Sequence, residues 1–422
     1  MSSLKINLNN TNLLYLLLIG AFGPYLIPSI GIRLDHLFIY GIFGILALHN
    51  RIYLSKNPSI LFMFTLLLIL FLSPFFNSIN PLNVISNTLF ISQIENYLQP
   101  IIIFLIFSSL CPKNIFELDD VFQSGLKLVL WLVALNTIFS IYILFNPETS
   151  LVRIFSGSKV IGDFGGFSGV TNAELNLTTG KFAGIFSQTY IVGFIYSFAL
   201  LGWAYIYKNN NSQNIKKFLL VLLIGIGGVM SFSKIFLIIG MPLFMIFIGF
   251  KRTIYLSMPI ITIFIIMISI NSTIIEIIRD YEAMKYIYRL IFGFSNDFLN
   301  IFTSGRFADG SLIIPGIIKV LSANTFFGLG YGSIETSDFS FFEIISLGGL
   351  VNLIAYSCLL IFLTMPIFFL ESLKDKYFYS FFIFLSFISS IAAPILTANR
   401  ISIVIWFVII FFFHKSLKLQ KA

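Results

Sequence analysis

Histidine is nearly absent from this sequence. His36, His49 and His414 are the only three in 422 residues, and all stand at the ends of apolar runs. A histidine-based triad or zinc site in a long loop is therefore set aside. Cysteine is scarcer still: Cys111 and Cys358 lie far apart, which excludes a disulfide framework and a CxxC metal site. Charged residues make up only 10% of the chain. A nucleotide loop is missing as well, since the GLGYG run at 328–332 lacks the Lys-Ser/Thr that holds phosphate and magnesium. Neither a cofactor nor a metal is expected. Any reaction must then draw on a substrate that is already activated.

What the sequence has in quantity is apolar surface: 58% apolar residues, with 51 phenylalanines. A helix needs about 20 apolar residues to cross the hydrocarbon core, and runs of that length recur along the chain. Spanning strands would alternate, whereas Ile60–Phe76 does not. The expected fold is an all-α polytopic membrane bundle forming a single domain over 1–422. Some twelve spans are expected, near 13–32, 35–49, 60–76, 88–110, 126–145, 183–207, 217–232, 235–250, 253–272, 340–370, 377–394 and 398–414.

The net charge of +8 is carried by short connections, as membrane topology requires, rather than by a nucleic-acid-binding patch. One side has Lys5, Arg51, Lys56, Lys113, Lys208, Lys216, Lys217, Lys251, Arg252, Lys374, Lys376, Lys415, Lys418 and Lys421; the short segments opposite have only Arg33, Lys234 and Arg400. This bias predicts cytoplasmic termini and an uncleaved first helix. Two long connections, 146–182 and 273–339, then fall outside and suit a functional role. The second opens with STIIEIIRDYEAMKYIYRLIFGF (272–294), whose apolar residues recur at helical spacing. It predicts an amphipathic helix in the interface, covering a cavity.

Thr303–Leu350 is the conspicuous polar break in the chain. Arg306 opens a polar-to-apolar transition, about a dozen moderately apolar residues follow, and Gly328, Gly330 and Gly332 end the helix. A short re-entrant or interfacial helix would set the guanidinium beside free backbone N–H groups, suiting a phosphate or pyrophosphate. The plainer alternative is an arginine snorkelling to lipid head groups.

The order Ser-Gly-Arg, short helix, FGLGYG, Asp338, bulky apolar run and Gly348-Gly349 resembles the O-antigen polymerase (Wzy) family and the related O-antigen ligases. KFAGIFSQTYIVGF (181–194) and SFSK (231–234) extend the resemblance, which covers roughly Lys181 to Leu363. It implies a glycosyltransferase acting on undecaprenyl-pyrophosphate-linked oligosaccharide at the outer face of the bacterial cytoplasmic membrane. The growing glycan would pass to the next lipid-linked repeat unit. Partners would be that substrate, membrane lipids, and the flippase and chain-length regulator of the same pathway. On this reading Arg306 and an arginine of the amphipathic helix, Arg289 in preference to Arg279, hold pyrophosphate, with Lys181 and Lys234 adding to the clamp. Asp338, Glu174 and Asp309 are the candidate bases, Asp338 being best placed in the motif order. The plainer readings are topology flanks for the two lysines and a helix N-terminal charge for Asp309. Ligases carry a His-Asn pair after the glycine run; here Ser337-Asp338 stands instead, which favours polymerase over ligase. A lipid-linked oligosaccharide flippase or a non-catalytic scaffold subunit remains open.

Overall fold

The computed structural model describes residues 10–27, 32–77, 87–112, 114–146, 154–155, 182–186, 189–208, 215–231, 233–249, 313–333, 340–392, 395–397 and 399–420. The chain is an all-α membrane protein, with one small strand pair among the described residues. Helices α1 (Asn10–Gly20) and α2 (Leu34–Leu48) flank the antiparallel pair β1 (Tyr25–Ile27) and β2 (Ile32–Arg33). Next come α3 (Pro58–Asn77), α4 (Asn87–Leu110), α5 (Ile115–Phe145), α6 (Thr189–Tyr207) and α7 (Ile215–Met230). A π-helical turn (Ile235–Gly240) leads into α8 (Met241–Ile248). The last group is α9 (Ile313–Asn324), α10 (Ser340–Phe362), α11 (Pro366–Phe369), α12 (Leu373–Ala392) and α13 (Asn399–Leu419).

The expected count of about twelve spans is not met among the described residues. Among the described residues, five helical stretches are long and apolar enough to cross a membrane: Pro58–Phe76, Phe90–Leu110, Ile115–Phe145, Ser340–Phe369 and Arg400–Leu419. Four apolar helices are shorter: Asn10–Gly20, Leu34–Leu48, Ile191–Tyr207 and Ile235–Ile248. The reasons are local. The first expected span stops at Gly20, and Gly23-Pro24 turns the chain into β1. The expected 183–207 span loses its start because Gly184 takes a left-handed φ of +64°, a conformation that only glycine adopts without strain. Conversely, α5 begins earlier than expected, at Ile115, where the Asn114 side chain accepts the Phe116 N–H at 3.0 Å as an N-cap. The expected span at 253–272 and the amphipathic helix at 272–294 lie outside the described residues.

Helix α13 is the axis of the core. Every residue from Arg400 to Phe413 is buried, as for a helix that is apolar all round and enclosed by others. It packs against α1, α4, α5 and α11. Phe122 of α5 is the hub of its lower half: its ring stacks on Phe407 (centroids 5.4 Å apart) and meets Phe412 edge to face (5.2 Å). Tyr205 and Phe378 close the same cluster.

Helix α10 is broken. Gly349 has φ +63°, and the turn formed by Thr325–Gly330 docks into the break. Leu329 N and Gly330 N donate to the carbonyls of Ser346 and Leu347, at 2.8 and 2.9 Å. In return Leu350 N and Val351 N donate to the carbonyls of Thr325 and Phe326. Backbone groups that a break would orphan are thus paired. The exchange needs backbones in contact: a Cβ on Gly328 would lie 2.6 Å from Gly349 N.

The facing helix α3 has a complementary defect. Pro74 has no N–H, so the Leu70 carbonyl loses its intrahelical partner. Asn352 of α10 donates to that carbonyl at 3.1 Å, and Tyr331 donates to the neighbouring Phe71 carbonyl at 2.9 Å.

Candidate functional site

The stretch Thr303–Leu350 is described in part, and that part is an interlocked unit. Helix α9 spans twelve residues, Ile313–Asn324, as the sequence suggested for the segment after Arg306. It lies on α10, with Val320 buried and Gly316 under the Phe342 ring. The glycine run then enters the break, and Gly332 N donates to Gln93 Oε1 of α4 at 2.6 Å. This glutamine, six residues into α4, is fully buried.

Gln93 belongs to a polar run, Ser92–Gln99, in an otherwise apolar helix. Its residues point two ways, as helical spacing dictates. Gln93 and Tyr97 face the glycine run and α10, where the Tyr97 hydroxyl lies 3.5 Å from the Glu343 carboxylate. Glu343 is buried in the first turn of α10. Glu95 and Gln99 face α2 instead, and Gln99 donates to Glu95 at 3.4 Å.

On that second face a charge cluster is built at the start of α2. Arg33 makes a bidentate pair with Asp35, Nε to Oδ1 at 2.8 Å and Nη2 to Oδ2 at 2.9 Å. Its Nη2 also lies 2.6 Å from His36 Nε2. Because a guanidinium only donates, Nε2 must be the accepting nitrogen and the imidazole proton sits on Nδ1. Nδ1 faces Glu95 Oε1 at 3.1 Å. Arg33, Asp35 and His36 are all buried. Burial disfavours the Arg33 charge, but the adjoining Asp35 carboxylate more than restores it and the guanidinium pKa rises.

Arg400, in the first turn of α13, completes this end. Its guanidinium and that of Arg33 both lie over the Tyr25 ring, 5.0 and 5.9 Å from its centroid. Arg400 donates to two backbone carbonyls, Ile185 at 2.8 Å and Phe155 at 3.1 Å. These residues bracket most of the first long connection. The segment at 182–186 is fixed from other sides too. Ile185 N donates to Asn136 Oδ1 at 2.8 Å, and Phe182 N to the Met230 carbonyl at 3.1 Å. Asn136 in turn donates to the Tyr196 hydroxyl, which bonds Thr137. The described part of the motif Lys181–Phe194, 182–186 and 189–194, is therefore tied to α5, α6 and α7.

The opposite end of α13 carries a self-contained lock. Lys415 reaches Asp119 of α5 at 2.6 Å and Asp375 of α12 at 2.8 Å, and Tyr205 donates to Asp375 at 2.7 Å. Lys415 lies fifteen residues beyond Arg400, about 22 Å along a helix. Polar groups thus gather at both ends of α13 with an apolar interior between. The lock is satisfied by its own members, which leaves the Arg33–Arg400 end as the candidate site.

Of the residues singled out from sequence, Arg306, Asp338, Arg289, Arg279, Lys181, Glu174 and Asp309 lie outside the described residues. Lys234 is described: it is half-buried directly before the π-helical turn, after Ser233, which packs on Gly193. The structure adds Arg33, Asp35, His36, Glu95, Glu343 and Arg400. Two of these were counted only as topology cations, and His36 was set aside as a span-end histidine. The polar run Ser92–Gln99 was the available signal. Among the described residues no group of three histidine, cysteine, aspartate or glutamate side chains could hold a metal. No protein-family model matches the sequence, and no curated protein matches it either.

Proposed function

We propose that the chain is a polysaccharide repeat-unit polymerase. On this reading it is a glycosyltransferase that moves a growing glycan from undecaprenyl pyrophosphate to the next lipid-linked repeat, at the outer face of a bacterial cytoplasmic membrane. The observation that carries the reading is the joint between Thr325–Gly330 and the break at Gly349. It supports treating the glycine run and Gly348-Gly349, two motifs of the resemblance to O-antigen polymerases, as one structural unit. The gathering of Arg33, His36, Glu95, Glu343 and Arg400 at one end of the helices supports a one-sided site.

In the proposed reaction an acceptor sugar hydroxyl attacks the anomeric carbon of the donor. The carbon–oxygen bond to pyrophosphate breaks, and the hydroxyl proton passes to a carboxylate, Asp338 in the first instance. Arg306 and Arg289 stabilise the charge that develops on the leaving pyrophosphate, with Lys181 and Lys234 in support. The sugar–pyrophosphate bond supplies the activation. The long connections 146–182 and 273–339 lie outside and both termini are cytoplasmic, in keeping with the bias of positive charge.

The test is Arg306→Ala in the native strain, with membrane levels confirmed and lipid-linked and surface glycans resolved by length. The expected result is loss of long chains while single repeats still reach the surface. A ladder of long chains persisting unchanged overturns the reading.

One observation favours a second reading, a lipid-linked oligosaccharide flippase. Broken helices with a buried ionisable residue line the sites of many transporters, and α10 with Glu343 is such a helix. Loss of single repeats from the surface, together with long chains, would select it.

A further inference from the structure

His36 sits between a cation and a carboxylate. The two hydrogens of Arg33 Nη2 serve Asp35 Oδ2, 2.9 Å away, and His36 Nε2, 2.6 Å away. The other ring nitrogen, Nδ1, faces Glu95 Oε1 of α4 at 3.1 Å. The contact with the guanidinium holds only while Nε2 carries no proton. A proton there would set two donors against each other at 2.6 Å. An acceptor within reach is Asp35 Oδ2, 4.0 Å from Nε2 and already bonded to Arg33. The other titratable neighbours are Arg400 of α13, which shares the Tyr25 ring of β1 with Arg33, and Tyr40, which reaches Glu95 at 3.5 Å. Helix α1, also packed on α2, carries Tyr15 and no charged residue. Two guanidiniums thus stand with two carboxylates around a neutral imidazole.

Arg33 is also what ties the strand pair to the helices. It ends β2, directly precedes α2, and pairs with Tyr25 of β1. Strands of three and two residues are marginal by themselves, and Leu26, Ile27 and Ile32 are exposed. The pair therefore depends on how Arg33 is held. We propose that His36 is a proton switch for this strand pair. Proton uptake at Nε2 expels Arg33 Nη2, and Asp35 Oδ2 turns to the imidazolium while Nδ1–H stays on Glu95. Arg33 is left with fewer bonds and beside two other cations, so β1 and β2 loosen from the helices. With the imidazole neutral, the pair stays docked. No step of glycosyl transfer enters the proposal.

The test is hydrogen exchange of the full chain in detergent, followed by mass spectrometry over peptides covering β1, β2 and the start of α2. It runs from about pH 8 to about pH 4, a range that contains histidine protonation, with the intrinsic pH dependence of exchange divided out. His36→Gln keeps an oxygen that can accept from Arg33 but takes up no proton. The expected result is a loss of protection at low pH in the wild type that His36→Gln does not show. Asp35 and Glu95 are present in both forms, so the difference belongs to His36. Equal pH responses overturn the proposal, as does wild-type protection that stays constant over the range. Should His36→Gln fail to fold, imidazole nitrogen NMR shifts of the wild type decide, assigned through His49→Gln and His414→Gln. A proton resting on Nε2 at neutral pH, or a loosening that does not track the charging of His36, overturns the switch. None of these readings involves glycans, so failure of the polymerase reading leaves them untouched.

Discussion

The rings of Phe341 and Tyr356 meet edge to face, with centroids 5.8 Å apart at 83°. Fifteen residues separate them in sequence, about 22 Å of rise in an unbroken helix. The contact therefore requires α10 to bend back sharply at Gly349, so that its first turns lie beside its second half. A sequence window of high hydropathy reads this stretch as one span. Its path is that of a folded-back segment closed by the glycine run.

The joint makes Gly349 the least replaceable residue in this region. Gly349→Ala places a Cβ against the Phe326 carbonyl and in a left-handed conformation, which alone costs a non-glycine residue about 1–2 kcal/mol. Thermal unfolding in detergent should show a large drop in Tm. Gly41→Ala is the control: its Cβ meets nothing within 4 Å in the interior of α2, where alanine is favoured by about 0.5–1 kcal/mol. An unchanged Tm for Gly349→Ala would be incompatible with the joint.

Asn352 and Pro74 are coupled through the Leu70 carbonyl. Asn352→Leu leaves that carbonyl buried and unpaired, at a cost of about 1–3 kcal/mol. Pro74→Ala restores an intrahelical N–H for the same carbonyl, so the penalty of Asn352→Leu should shrink in the double variant. A double-mutant cycle measured by denaturation reads the coupling directly. Strict additivity would show that the two residues act independently.

At the far end, the two partners of Lys415 differ in exposure. The Asp375 side chain is 6% exposed and that of Asp119 36%. Removing the cation leaves Asp375 in the apolar interior without its ion pair, whereas water can reach Asp119. Lys415→Met should therefore destabilise more than Asp119→Asn, and Asp375→Asn should recover part of the loss in the Lys415→Met background. Equal effects of the two single substitutions would count against a buried lock.

Arg400 and Asn136 hold Ile185 from its carbonyl and its amide. Asn136→Ala should speed hydrogen exchange at the Ile185 amide, and Arg400→Gln should loosen 182–186 as a unit. Exchange followed by mass spectrometry over peptides covering 182–194 reports both. Protection that stays at the wild-type level in both variants would mean that other contacts carry the segment.

Gln93 ties α4 to the residues that lead toward Asp338. Gln93→Glu retains an acceptor oxygen for Gly332 N, while Gln93→Leu removes it. If the polymerase reading holds, chain length on the surface should fall in Gln93→Leu and be partly kept in Gln93→Glu at matched membrane levels. Identical glycan profiles for the two variants would separate Gln93 from function.

Fold class was legible because burial in lipid leaves a chain with 58% apolar residues and 10% charge only helices or a closed barrel to satisfy its backbone, and runs such as Ile60–Phe76 do not alternate as barrel strands would. The stop at Gly328–Gly332 was legible because glycine made it, whereas that at Gly20–Pro24 was not: the expected first span ran on through it to residue 32. Span boundaries were not, because hydropathy is blind to direction: Ser340–Phe369 is apolar throughout although α10 reverses within it. The site was legible only as polarity. Arg33 and Arg400 read identically as flanking cations, and only the tertiary structure sets both over Tyr25 and gives them different partners, Asp35 and His36 for one and two loop carbonyls for the other.

By itself, then, the sequence determined that this chain is helical and membrane-embedded, since composition and periodicity are local properties. The tertiary structure alone decided which polar residues meet. Gln93, Tyr97 and Glu343, or Pro74 and Asn352, come from stretches some 250 to 280 residues apart. Their pairing depends on how the helices pack around α13, which no local pattern encodes.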